Sequence, residues 1–103
     1  MLFMNNLRIV IVDDSAFSVA FIKNILEGNG FEVVGSAGTL EEVKAVVKDT
    51  KPTLVTMDMT LIGTDGLECT RAIHEIDENI KVIVISSMMD DEIVNEAKKN
   101  KVS

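Results

Sequence analysis

Short apolar runs alternate with amphipathic stretches along the whole chain. The runs 8–12 and 53–57 are too continuously apolar for strands with one face in water, which indicates buried strands of a parallel sheet. Regular alternation of strands and helices predicts four βα units joined by right-handed crossovers, and hence an α/β fold. The predicted elements are a strand 8–12, a helix 15–27, a strand 31–37, a helix capped by Thr39 and running to 48, a strand 52–57, a helix 67–76, a strand 81–85 and a helix beginning at Asp90.

Polar residues at the predicted helix ends support these boundaries. Ser15 can cap the first helix, and the Gly-Asn-Gly turn at 28–30 can end it. Thr39 and Glu42 have the spacing of a capping box at the start of the second helix. The last predicted helix begins with acids and ends with lysines, as the helix dipole favours.

Composition limits the classes of protein to which the chain can belong. Its 103 residues suffice for one small domain, and 47% hydrophobic with 26% charged residues is typical of a globular chain. A net charge of −7 argues against a nucleic-acid surface. The single cysteine, Cys69, excludes an internal disulfide. The presence of a single cysteine and the absence of a membrane-length apolar stretch together predict a cytoplasmic protein with no membrane partner.

Three aspartates follow the ends of two predicted strands. Asp13 and Asp14 come directly after the first strand, and Asp58 comes directly after the third. Residues just past the carboxyl ends of parallel strands line the ligand crevice, so these carboxylates should meet at one edge of the sheet. Close carboxylates repel one another unless protons or a cation intervene, and hard divalent cations prefer oxygen ligands. The pattern therefore predicts a divalent metal site, with helix capping by Asp13 or Asp14 as the alternative.

Further residues stand in the order and spacing of a known family. An Asp-Gly turn at 65–66 follows Asp58, and Ser86-Ser87 ends the fourth predicted strand. With the acidic pair, these motifs resemble the receiver domain of two-component response regulators over essentially the whole chain. The resemblance implies a flavodoxin-like doubly wound parallel sheet, with residues 1–103 as one receiver domain. It also implies a phospho-accepting signalling module without enzymatic turnover. Its partners would be a histidine kinase or phosphotransfer domain and an unidentified downstream output protein.

The resemblance implies a magnesium site built from four residues. Asp14 would bind Mg²⁺ directly and Asp13 through water, while Asp58 and the backbone carbonyl of Thr60 would complete the protein ligands. General chemistry agrees with this implication, because Mg²⁺ uses a few carboxylates and keeps several waters.

The resemblance also implies how a phosphoryl group would be held. Asp58 would be the phospho-acceptor and would carry an aspartyl phosphate. Ser86 would be the switch hydroxyl that bonds the phosphoryl oxygens, and the backbone N–H groups of Met59 and Ser87 would face the same oxygens. A carboxylate nucleophile can form such an acyl phosphate, and Mg²⁺ can neutralise its developing charge.

Two features depart from the receiver pattern. Ile62 stands where receivers usually carry a proline, which predicts a less rigid loop. A fifth strand and helix, with a lysine and an aromatic switch residue, would be expected beyond Ser103, so the domain is predicted to be C-terminally incomplete. Strand four would then be an exposed apolar edge. A truncated chain, a homodimer paired through that edge and a degenerate receiver remain open as explanations.

Three other functions compete with this interpretation. The missing lysine and fifth strand favour a receiver-like interaction domain that is not phosphorylated, or an inactive fragment. A dehalogenase-type phosphatase also uses a strand-end Asp nucleophile with Mg²⁺, but it needs a second Asp where this chain has Thr60. Dinucleotide binding needs a glycine-rich turn after the first strand, where this chain is acidic.

Four side chains outside the acidic cluster also lead to expectations. Phe17, one turn beyond the acidic pair, gives the first helix more apolar surface than one core face needs. Either Phe17 or Phe21 packs under the sheet edge, or Phe17 docks the partner kinase or phosphotransfer helix. His74 is expected to face water without a metal or catalytic role, and Cys69 to be half-buried and inert.

Overall fold

The structure is a computed structural model that describes residues 7–58 and 66–85. The strands in these ranges are β1 (Arg8–Val12), β2 (Glu32–Ala37), β3 (Leu54–Asp58) and β4 (Lys81–Ile85). The helices are α1 (Ala16–Gly28), α2 (Leu40–Thr50) and α3 (Leu67–Ile76). Each predicted element in this part of the chain is confirmed in type, with its ends displaced by no more than two residues. The predicted helix from Asp90 and the loop at Ile62 lie outside the described residues.

The four strands form one parallel sheet in the order β2-β1-β3-β4. This order confirms the predicted doubly wound α/β sheet. The chain moves outward from β1 to β2 and then crosses back to β3 on the other side of β1. The point where the order reverses, between the carboxyl ends of β1 and β3, is where such sheets bind their ligands.

Each face of the sheet is covered by helices. Alternate strand residues such as Ile9, Ile11 and Leu54 pack with Ile22 and Leu26 of α1 on one face. The intervening residues pack with α2 and α3 on the other face, in a cluster that contains Val10, Val12, Val43, Val47, Val55, Met57, Cys69 and Ile73. Because both faces of the central strands are buried, polar alternation along them is not needed.

The helix ends largely follow the predicted capping. Ser15 Oγ accepts a hydrogen bond from the Ser18 N–H at 3.3 Å, and Thr39 Oγ1 accepts one from the Glu42 N–H at 3.2 Å. The return bond of the capping box differs in one respect. Glu42 Oε1 accepts from the Gly38 N–H at 2.8 Å, one residue before the cap, so this carboxylate also fastens the turn that follows β2.

Four side chains confirm, refine or correct the sequence-based expectations. Cys69 is 1% exposed, so the prediction of half-burial is wrong, because α3 turns this residue fully into the core. Phe21 packs against the core under α1, whereas Phe17 is 80% exposed. His74 is exposed as expected, and its Nε2 lies 3.0 Å from the Ile80 carbonyl oxygen, which joins α3 to the turn before β4.

β4 lies at one edge of the sheet that the described residues form, and its Val84 is 44% exposed. Residues 86–103 lie outside the described part of the chain. Pairing of the β4 edge with a second copy therefore stays a prediction.

Gly35 of β2 is required by the close approach of α2. A Cβ placed on Gly35 would lie 2.6 Å from Val46 Cγ2. Valine has little rotamer freedom in a helix, so the clash is not relieved by rotation. We predict that Gly35→Ala lowers the free energy of unfolding by roughly 1–3 kcal/mol, as overpacked cores do, in urea denaturation.

Two further variants control this prediction. Val46→Ala in the same chain removes the clashing methyl. The double variant should therefore lose less free energy of unfolding than the two single variants lose together. Gly28→Ala places its Cβ where nothing lies within 4 Å and should leave stability unchanged or raised. A Gly35→Ala protein as stable as wild type would contradict the packing of α2 on β2.

Candidate metal centre

Three carboxylates converge at the switch point of the sheet. Val12 and Met57 are partners in the register of β1 and β3, so Asp13 and Asp58 continue the two strands side by side. One carboxylate oxygen each from Asp13, Asp14 and Asp58 lies within 4.8 Å of the other two. The structure therefore brings together the three aspartates that the strand ends predicted.

Backbone contacts hold Asp13 in place from two directions. Its N–H donates to the Ala37 carbonyl at 2.9 Å, which ties the end of β1 to the end of β2. Its Oδ1 accepts from the Ser15 N–H at 2.9 Å, just where α1 begins. Ser15, and neither aspartate, is the N-cap of α1, so the capping alternative for Asp13 and Asp14 is wrong.

The cluster extends from the interior of the protein to its surface. Asp13 is 5% exposed, Asp58 is half-buried and Asp14 is exposed. Burial raises the pKa of Asp13 above its ordinary value, and the charges of Asp58 and Asp14 raise it further, while the hydrogen bond from Ser15 opposes them. The metal-free folded protein therefore holds a proton on Asp13 more tightly than the unfolded chain does.

The donor set fits a hard divalent cation. All three groups offer carboxylate oxygen, the ligand type that Mg²⁺ and Ca²⁺ prefer. Oxygens on opposite sides of one Mg²⁺ are about 4.2 Å apart, so a spread of up to 4.8 Å suits a site in which one carboxylate acts through water. A bound cation would also offset the repulsion that raises the pKa of Asp13.

Four predicted site residues lie outside the described part of the chain: Met59, Thr60, Ser86 and Ser87. Their predicted roles therefore stay predictions. The register of the sheet nevertheless pairs Ile85, the last residue of β4, with Asp58. The chain thus leaves β4 directly opposite Asp58.

Sequence reasoning missed two residues beside the cluster. A Cβ on Gly38 would lie 3.4 Å from the Asp13 carbonyl oxygen, so the turn after β2 passes close to the acidic pair. Thr56 of β3 has a buried hydroxyl two residues before Asp58. The signal for Thr56 was present in the sequence, because it is a polar residue inside an otherwise apolar run.

A doubly wound parallel sheet with an acidic cluster at its switch point is suited to hold a divalent cation beside a phospho-acceptor, as a phospho-accepting signalling module requires. The family model described as the response regulator receiver domain matches residues 9–103. The chain belongs to this family, as the sequence motifs predicted. Within residues 7–58 and 66–85, no helix combines the length and apolar character needed to cross a membrane.

Individual relatives agree with the family assignment. The chemotaxis protein CheY of Thermotoga maritima is 40% identical over 92 residues, which cover 89% of this chain and 77% of that protein. The sporulation initiation phosphotransferase F of Bacillus subtilis is 31% identical over 96 residues, covering 93% of this chain and 77% of that protein. Among solved structures, a CheX-CheY-BeF3-Mg complex from Borrelia burgdorferi matches with a TM-score of 0.70 and 31% identity, covering 93% of this chain and 73% of that one.

Asp13→Asn should stabilise the metal-free protein at neutral pH. The raised pKa means that ionised Asp13 destabilises the folded state above its folded pKa, and this penalty disappears as the pH falls below the ordinary value of 3.8. The asparagine oxygen can still accept from Ser15 while one like charge is removed. We therefore expect the Asp13→Asn protein to have the higher free energy of unfolding, measured by urea denaturation at pH 7 with a chelator.

The same measurement at low pH supplies one control, because the difference from wild type should vanish there. Glu78→Gln supplies another, since this carboxylate is exposed in the turn after α3 and should give no comparable gain. A metal-free Asp13→Asn protein that is less stable than wild type at pH 7 would contradict the electrostatic account of the cluster.

Proposed function

We propose that Asp58 accepts a phosphoryl group from a histidine kinase or phosphotransfer domain, with Mg²⁺ held by Asp13, Asp14 and Asp58. The observation that carries the proposal is the convergence of these carboxylates within 4.8 Å at the switch point of the sheet. The half-buried position of Asp58 supports it, because a nucleophile must be reachable from outside. Membership of the receiver family supports it independently.

Each aspartate has a separate task in this proposal. A bound Mg²⁺ supplies charge neutralisation and orientation for the phosphoryl group. Asp13, held by Ser15 and Ala37, and the exposed Asp14 fix the position of that charge at the strand ends. An oxygen of Asp58 forms the new bond to phosphorus while the bond from phosphorus to the donor breaks. The acceptor takes up one phosphoryl group and does not turn over substrate.

The remaining ligands come from the segments that follow β3 and β4. In this proposal the Thr60 carbonyl would complete the metal ligands, and the N–H groups of Met59 and Ser87 would bond the phosphoryl oxygens. Ser86 donates its hydroxyl to the same oxygens and so couples phosphorylation to a surface that binds the output partner. The pairing of Ile85 with Asp58 supports these roles, because it starts the second segment beside the acceptor.

Intact mass after incubation with acetyl phosphate and Mg²⁺ tests the acceptor. Wild type should gain the mass of one phosphoryl group, and Asp58→Asn should gain none, because an amide is not a nucleophile for this transfer. Asp49→Asn serves as the matched control, since Asp49 is an exposed carboxylate on α2 and should leave the adduct intact. An adduct of equal yield in Asp58→Asn would overturn the assignment of the acceptor.

The exposed aromatic side chain on α1 supports a docking surface for the phosphodonor. Phe17 is 80% exposed in the first turn of α1, three residues beyond Asp14. Aromatic side chains are enriched where protein surfaces meet. We therefore propose that Phe17 contacts the helix of the kinase or phosphotransfer domain that brings the phosphohistidine to Asp58.

Phe17→Ala should slow phosphorylation by the partner protein about tenfold or more, as the loss of an interface aromatic does. Phosphorylation by acetyl phosphate should be unchanged, because a small donor does not use the docking surface. Leu67→Ala, which removes an apolar side chain that is 61% exposed on α3, is the control for general loss of exposed apolar surface. Equal slowing with both donors would show that Phe17 acts on the site and not on docking.

A further inference from the structure

Among the side chains that the structure describes, Thr56 carries the one buried oxygen without a hydrogen-bond partner. The residue is 3% exposed, and its Oγ1 has no protein partner in residues 7–58 and 66–85. A buried hydroxyl left in this condition costs about 1–3 kcal/mol. Valine has nearly the same shape and a high preference for strands, and it would avoid this cost. The buried Thr56 hydroxyl is therefore expected to have a hydrogen-bond partner.

The surroundings of Thr56 restrict where that partner can lie. Its neighbours in the sheet are Ile11 of β1 and Ile83 of β4, and neither side chain can bond a hydroxyl. Leu54, two residues earlier on the same face, is fully buried and apolar. Side chains two residues apart along a strand share a face, so Asp58 is the polar group that follows Thr56 on this face.

The spacing decides how Thr56 and Asp58 can interact. Two residues of a strand span about 6.6 Å, which is too long for a direct hydrogen bond between two short side chains. Two successive hydrogen bonds that meet at one water span about 4.5–5.5 Å between their outer atoms. Because the Asp58 carboxylate extends beyond its Cβ, a side-chain rotamer can bring one of its oxygens within that distance of the Thr56 hydroxyl. Internal waters usually bond groups that lack protein partners.

We propose that Thr56 is a positioning residue for Asp58: its hydroxyl donates to an internal water, which in turn donates to one carboxylate oxygen of Asp58. This water bridge holds the Asp58 carboxylate on the side that faces the protein interior. The outer carboxylate oxygen remains directed at the cation and the incoming phosphoryl group. The effect on phosphoryl transfer rests on the proposed function of Asp58. The bridge itself is a property of the metal-free fold.

Unfolding measurements test the bridge without any phosphodonor. If the bridge exists, Thr56→Val should raise the unfolding equilibrium constant of the metal-free protein about three- to tenfold, the value of one hydrogen bond. In an Asp58→Ala background the same substitution should no longer destabilise, whereas in an Asp49→Ala background its effect should be unchanged. A Thr56→Val protein that is more stable than wild type would show that the hydroxyl has no partner and would overturn the proposal.

Nuclear magnetic resonance detects the water itself. Wild type should show an Overhauser effect between a long-lived water and the Thr56 γ-methyl group, and the absence of this effect would overturn the proposal. In the presence of Mg²⁺ and acetyl phosphate, Thr56→Val should take up the phosphoryl group at least threefold more slowly, and Thr56→Ser should retain the wild-type rate. A rate unaffected by Thr56→Val would contradict the positioning role.

The two proposals fail in different ways. A wild-type protein that takes up no phosphoryl group would overturn the function proposed for Asp58. The water signal and the unfolding measurements would still decide for or against the bridge, because both are made without metal or donor.

Discussion

Repulsion among three carboxylates at the carboxyl ends of β1 and β3 is the constraint on which the rest of the structure depends. Asp13 is 5% exposed, and its pKa is raised by burial and by the charges of Asp58 and Asp14. A fold can keep such a group in place only if the surrounding backbone is rigid. β1 meets this requirement because it is paired on both sides, with β2 and with β3.

The contacts that hold the carboxyl end of β1, where the acidic cluster lies, are matched by others at the amino end of the same strand. Near the cluster, the Asp13 N–H is bonded to Ala37 and its carboxylate to the N–H of Ser15. At the far end, an Arg8 side-chain nitrogen donates to the Thr50 carbonyl at 2.7 Å, which joins the start of β1 to the end of α2. Both ends of the central strand are therefore fixed, and the position of the carboxylates follows from the position of the sheet.

β3 combines packing and chemistry within five residues. Val55 and Met57 pack under α2 and α3, while Leu54 packs in the cluster on the face that α1 covers. Thr56 and Asp58 lie on the same face as Leu54 because strand residues alternate. Asp58, the last residue of β3, therefore lies at the switch point, where a parallel sheet leaves a crevice between connections that run in opposite directions.

The sequence by itself determined the order of the elements and the place of the acidic site. Strands buried on both faces give continuous apolar runs, and residues at their carboxyl ends must share one edge, so Asp13, Asp14 and Asp58 could be grouped without coordinates. The family pattern was equally readable, because motif order and spacing are properties of the chain.

Only the tertiary structure decided how deeply each of these groups is buried. Phe17 and Phe21 lie one helical turn apart in the sequence, yet Phe17 is exposed and Phe21 packs against the core. The isolation of the Thr56 hydroxyl depends on the register that places Ile11 and Ile83 on either side of it. Burial and isolation of this kind depend on contacts between elements that are distant in the chain, so local sequence patterns do not determine them.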